Sequence, residues 1–323
     1  MKKYISIVLC LACFVTAVLI NYDAPMAGKG KGTSETVTNM EELATVIDGV
    51  VAMTNMEFLS GTASASEPGE TSYDSVTFGG AYEQSATITC SSQVMQMDVR
   101  GEETWYIDNG GDRLYLEGSG DINMTDNTMA ENNYSMSLGF AVYYDKDAGW
   151  FIKYNYLQMP GAEGIGVLLD KWISLDSFSG IMDMSELFSQ LLGKTYGFFT
   201  AFEVYINEQR DTAFGKNGTL YTMNKVAFEA FAHDQYSQSP DMTGLGVVFG
   251  ELNAVDGFLK VDLSESERPS IDLSNEMDYD ATIDGMAVHY LVNSEQQIYL
   301  TNINNTVVPE LDPSTVYDLG DLM

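Results

Sequence analysis

His233 and His289 are the only imidazoles in the chain, and Cys90 is the only cysteine outside the first apolar run, which holds Cys10 and Cys13. A structural or catalytic zinc needs its ligands at short recurring spacings, and these residues have none. Cys90 closes the strand-like run SATITC, where it reads as a small apolar residue, and no internal disulfide can form in the body. Asp278, Asp280 and Asp284 in DYDATIDG, and the acids of DKDAG at 145–149, lack the spacing and closing Glu of a calcium loop, so both read as turns. No G-x-S-x-G occurs, and the Gly-rich GAEGIG at 161–166 lacks the strand-to-helix context of a phosphate loop. Glu41 and Glu42, and Glu102 and Glu103, are adjacent carboxylates, and sequence neighbours seldom face each other. A hydrolase of wall polymers would need two carboxylates about 5–10 Å apart across a cleft, and nothing singles out such a pair. The expectation is therefore no metal, no cofactor and no catalysis.

The apolar residues remain. Met136, Leu138, Phe140, Trp150, Ile152, Tyr154 and Trp172 are candidates to line a ligand cavity, in a chain with 18 Met. Methionine lines adaptable surfaces and also fills ordinary cores, so both readings stand at this point. Each methylene taken out of water contributes about 0.8 kcal/mol, so a cavity accepting roughly ten of them holds a lipid without a charged anchor.

These residues lie on elements with a two-residue period. Tyr134, Met136, Leu138, Phe140 and Val142 alternate with small residues, DKDAG turns the chain, and Trp150, Ile152, Tyr154 and Tyr156 return on one face. Before this hairpin, FLSGTASAS, SVTFGGAYEQSATITC, VMQMDV, TWYI and RLYLE read as strands, and residues 117–133 as a polar loop or exposed edge. After it, KWISLD is a brief extended segment. Asp183 or Ser185 then caps a helix bearing Met184, Leu187, Phe188, Leu191 and Leu192. GFFTAFEVYIN reads equally as helix or strand, and Asn224 caps a short helix carrying Phe228 and Phe231. From Gly257 onward GFLKVDLSES, PSIDLSNEMDYDA, MAVHYLVNS and QQIYLTNIN are strands, with NSEQ as the last hairpin turn. The first helix has a capping box at Thr38 and Glu41 and an apolar face of Met40, Leu43, Val46, Ile47, Val50 and Val51. Helices set against many antiparallel strands define an α+β domain, and a sheet of this size curls and needs a cover on its concave face.

The amino terminus, MKKYISIVLCLACFVTAVLI, has two lysines followed by an uncharged apolar stretch, the pattern of an export signal or a retained anchor. Lipidation of Cys13 would need a Leu-like residue three positions earlier, where Cys10 stands. Residues 1–20 are thus the signal peptide or membrane anchor, 21–37 a flexible linker and 38–323 a single domain working outside the cytoplasmic membrane. The formal charge is −32, from 47 acidic and 15 basic residues among 323. Such a surface repels phosphates, so nucleic acid is excluded as a partner.

The order of elements, DKWISLD leading into DMSELFSQLL, and GTLYTMN followed by KVAFEAFAH resemble the bacterial envelope half-barrels of the outer-membrane lipoprotein carrier and the mycobacterial lipid-binding lipoproteins. The resemblance runs over roughly 38–310, and this chain differs in its length, its acidity and the residues before Cys13. It implies a curved antiparallel sheet and helical lid enclosing an apolar cavity for acyl chains. The expected protein is a secreted or membrane-anchored envelope component that binds lipid or another apolar molecule, touching the membrane through its N-terminal segment. The alternative is a structural or adhesive surface module with no ligand cavity.

Overall fold

The computed structural model describes residues 35–54, 75–91, 93–108, 112–129, 133–158, 169–174, 198–237 and 247–317. The signal or anchor, most of the linker, FLSGTASAS, GAEGIG and the helix after Asp183 lie outside the described residues.

The architecture is one large curved antiparallel sheet of 12 strands, not closed, with short helices: an α+β half-barrel. The strands are β1 (Val76–Cys90), β2 (Gln93–Asp108), β3 (Arg113–Asp126), β4 (Tyr134–Asp145), β5 (Gly149–Gln158) and β6 (Trp172–Ser174). Then come β7 (Phe214–Asn217), β8 (Leu220–Met223), β9 (Val247–Asp262), β10 (Ser270–Ile283), β11 (Met286–Thr301) and β12 (Val316–Tyr317). Their spatial order is β12-β6-β5-β4-β3-β2-β1-β11-β10-β9-β8-β7, and among the described residues only β12 with β6 is a parallel strand pair. The helices are α1 (Met40–Thr54), α2 (198–207), α3 (Arg210–Ala213) and α4 (Lys225–Ser237). Among the described residues no helix is long and apolar enough to cross a membrane.

The apolar face predicted for α1 is buried throughout, with Leu43, Ile47 and Val50 fully enclosed. Its cap lies one residue later than the sequence suggests. Asn39 Oδ1 accepts the backbone N–H of Glu41 and Glu42, and Glu42, in place of Glu41, reaches back to Thr38. GFFTAFEVYIN resolves as helix, and its Phe198, Phe199, Phe202, Tyr205 and Ile206 are buried. Asn224 caps α4 as expected, accepting from the N–H of Ala227 at 3.1 Å, and Phe228 and Phe231 are buried beneath it.

Three predicted breaks are absent. VMQMDV and TWYI form the single strand β2. The polar run after Glu117 continues β3 as far as Asp126. NSEQ lies inside β11, and the hairpin turns instead at Asp284–Gly285, whose φ values of 49° and 78° suit a two-residue loop. DYDATIDG is therefore mostly strand, with only its last two residues in the turn. In β5 the register shifts opposite Gly139/Phe140, so Tyr156 leaves the face of Trp150, Ile152 and Tyr154 and lies across Gly139, 40% exposed.

Side chains alternate between two faces of the sheet. Two apolar clusters share the inner face. The larger joins Phe78, Trp105, Leu116, Val142, Ile152, Leu273 and Leu300 to the buried sides of α1, α2 and α4. The second gathers Ile88, Met95, Met97, Met124, Tyr279, Ala281 and Tyr290 at the other end of the same strands. On the outer face Tyr106, Tyr143 and Phe151 are covered by the C-terminal segment through Val308 and Leu311. The Val308 N–H there donates to Asp108, which also holds Arg113 through two hydrogen bonds.

Candidate functional site

Six of the seven candidate cavity residues share the inner face. Met136, Leu138 and Phe140 on β4 stand beside Trp150, Ile152 and Tyr154 on β5, as the pairs Phe140–Tyr154 and Val142–Ile152 require. Leu138, Phe140, Trp150 and Ile152 are only 5–9% exposed, and all six belong to or pack against the helix-covered cluster. Trp172 is on the opposite side. It packs edge-on against Tyr115 and Tyr143 at 6.4 and 6.3 Å, within the outer aromatic cluster. The structure therefore brings six of these residues together and places the seventh on the other surface.

Between the two inner clusters runs a polar belt. Three registers of the sheet define it. Gly118, Glu103, Gly80 and Ile298 lie side by side; next come Gly120, Gly101, Tyr82, Gln296 and Leu273; then Val99, Gln84, Ser294, Asn275 and Gly257. Glu103, Gln296 and Asn275 thus step diagonally from β2 to β10. They are 4%, 5% and 8% exposed. Each has a buried side-chain oxygen with no hydrogen-bond partner among the described residues: Glu103 Oε2, Gln296 Oε1 and Asn275 Oδ1. Such a group costs about 1–3 kcal/mol when left unmade in an interior.

Glycines shape the belt. The hydroxyl end of Tyr82 reaches over Gly101 and Gly120, so close that a Cβ on Gly101 would sit 2.6 Å from the phenol. Beside it, Tyr82, Glu103, Leu138 and Phe140 bound a void of about 10 Å³, near the size that holds one water. Trp105 Nε1–H donates to Glu103 Oε1 at 2.9 Å. Burial pushes the Glu103 carboxyl well above the usual carboxylate range, and the Trp105 hydrogen bond offsets only part of that. Burial, helped by the charge of Asp121, also pushes the Tyr82 phenol up.

The other groups weighed in the sequence fall outside the belt. Glu102 and Glu103 point to opposite faces, as adjacent strand residues must, and Glu102 accepts from Ser119 on the outside. His289 faces out from β11 with its Nδ1 3.0 Å from Asp280 and 3.8 Å from Asp278. Asn253 Nδ2–H donates to Asp278, so these acids serve a surface cross-strand network. His233 is exposed on α4. Cys90 is free, half-buried and packed at the edge of the second inner cluster. Among the described residues no three His, Cys, Asp or Glu side chains are grouped to hold a metal ion.

Sequence reading by element missed the belt. The signal is present only if alternate residues are read along whole strands. Met95, Met97, Val99, Gly101, Glu103, Trp105 and Ile107 on β2, and Tyr290, Val292, Ser294, Gln296, Ile298 and Leu300 on β11, are each apolar, then small or polar, then apolar. The chain matches no protein-family model, and no curated protein matches it.

Proposed function

We propose that this protein works outside the cytoplasmic membrane and holds a lipid or another apolar molecule between its curved sheet and helical cover, with no catalytic step. It stands in this reading with the envelope half-barrels it resembles. The observation that carries the proposal is the inner face itself. It offers apolar surface on both sides of a belt whose buried polar atoms lack partners, whereas a core serving only stability satisfies such atoms or omits them. A ligand with an apolar body and a polar group meets both demands at once.

Tryptophan fluorescence tests it. Of the three Trp, Trp105 and Trp150 face inward and Trp172 faces outward. A lipid carrying brominated acyl chains should quench emission, and Trp172→Phe should leave the quenched fraction no smaller. Quenching that disappears with Trp172, or no quenching at all, refutes an internal ligand.

A second reading has its own support. The close packing of Leu138, Phe140, Trp150 and Ile152 suits a structural or adhesive module whose inner face is only a core. That module would show neither quenching nor bound lipid.

A further inference from the structure

The outer face of the sheet carries an open groove that neither inner cluster reaches. It crosses β1, β2 and β3 to Tyr156 of β5 and encloses about 410 Å³, within the range of about 300–1,000 Å³ that small-molecule sites occupy. Its floor is the backbone of Tyr82, Gly101 and Gly120, whose side-chain positions face inward. Two rows of outward residues border it. Glu83, Arg100 and Asp121 are cross-strand neighbours in one row, and Glu102, Ser119, Gly139 and Tyr156 make up the next. From β1 to β5 there are four strand spacings, about 19 Å in all. A continuous groove of that length suits an extended occupant better than a single ring.

Tyr156 gives the groove an aromatic wall. The register shift opposite Gly139/Phe140 turns this residue away from the inner face, where Trp150, Ile152 and Tyr154 stand, and a bulge is a usual device for re-aiming a side chain. The ring lies against Gly139, where a Cβ would sit only 2.4 Å from a ring carbon, and Gly139 is buried beneath it. The ring itself stays 40% exposed and lines the groove.

The charges select the occupant by exclusion. An anion would face Glu83, Glu102 and Asp121. A cation would meet Arg100, which stands between Glu83 and Asp121 with its side chain 69% exposed and holds Asp121 at 2.9 Å. Glu102 already accepts from the Ser119 hydroxyl. An apolar molecule would strip water from all of these groups and return no hydrogen bond. A neutral molecule dense in hydroxyls meets every demand. Its hydroxyls donate to the carboxylates and accept from Arg100, and its C–H faces lie on the Tyr156 ring.

We infer that this outer groove binds a neutral oligosaccharide, with Tyr156 as the stacking surface and Glu83, Arg100, Glu102 and Asp121 as the hydrogen-bonding walls. The site is separate from the inner face and stands whether or not that face holds a lipid.

The test titrates the full chain calorimetrically with maltohexaose, cellohexaose and chitohexaose, and with hexagalacturonate and spermine as anionic and cationic probes. At least one neutral hexasaccharide is expected to bind, and more tightly than either charged probe. Tyr156→Ala and Glu102→Gln are each expected to weaken that binding by about tenfold, the factor one good contact supplies. Tyr156→Ala also uncovers Gly139, so both variants are checked by melting, and Glu102→Gln, at an exposed position, carries the test if the other variant does not fold. Three results would overturn the inference. None of the three neutral sugars binds; spermine or hexagalacturonate binds more tightly than any of them; or a sugar binds the folded variants as well as it binds the unaltered chain.

Discussion

Phe78 and Ile88 lie on the same face of β1, yet they belong to different interiors. Around Phe78 the sheet meets helices. Phe199 packs edge-on against its ring at 5.1 Å, Trp105 stacks at 5.5 Å, and Phe198, Phe202 and Phe231 continue a network of aromatic contacts. Around Ile88 the material is softer. Met95, Met97 and Met124 sit on neighbouring strands, Met97 directly opposite Met124, with Tyr279 stacked on Tyr290 at 5.0 Å. Among the described residues only Tyr236 of α4 brings a helical side chain to this end. Branched and aromatic side chains under helices fix one arrangement, whereas unbranched thioethers fill whatever shape is offered. The belt of Glu103, Gln296 and Asn275 marks the boundary. One half of the inner face is built of aromatic and branched side chains beneath helices, the other of methionines and tyrosines.

The sharpest way to break this contrast is to damage each half alike. Phe202→Ala on the buried side of α2 should lower unfolding free energy by about 3–5 kcal/mol, whereas Met97→Leu should cost less than about 1.5 kcal/mol, both read from denaturant curves. Equal losses would erase the distinction between the halves. The boundary itself comes next. Gln296→Leu, which changes the side-chain volume little, should stabilise the unliganded protein by up to about 1–3 kcal/mol, because it removes an unpartnered buried oxygen and gives up only the 3.4 Å hydrogen bond to Ser294. A drop in melting temperature would mean that this oxygen has a partner after all.

Glu103 adds a dependence on pH. Its folded-state affinity for a proton is raised, so below about pH 4.5 folded and unfolded forms are both protonated and nothing is lost. As pH rises from there toward the raised folded value, the unfolded chain releases the proton first. Stability should then fall by at most about 1.4 kcal/mol per pH unit, and Glu103→Gln should remove that slope. Parallel pH profiles for the two proteins would show that the carboxyl is not buried as described. The smallest effect belongs to the cover. Asn224→Ala removes the cap of α4 and the hydrogen bonds from its Nδ2 to Thr212 and Ala213, and should cost about 1 kcal/mol or slightly more.

The contrast also explains which parts of the fold could be read in advance. Helix α1 was legible because its apolar residues recur at helical spacing, and the β4–β5 hairpin because Tyr134 to Val142 alternate without interruption. The local pattern of β2 and β11 breaks at Gly101–Glu103 and at Ser294–Gln296, where polar residues occupy inward positions. Polar residues on both faces of a strand look like a turn when only local pattern is available. The breaks in pattern that hid the long strands are therefore the belt. The face of Trp172 is not legible in the sequence for a related reason. Three strand residues are too few for periodicity to assign a side, and its partners Tyr115 and Tyr143 are distant in sequence. His289 and Asp280 met across β10 and β11 through a register that no local spacing reveals.

The central claim is that the inner face holds a greasy molecule, and mass measurement of the intact protein tests it most directly. Protein isolated from its own host and weighed under non-denaturing conditions should carry a bound lipid that is released on unfolding. Protein that arrives at its bare mass, and stays there after incubation with vesicles containing 1-oleoylglycerol, would contradict the claim.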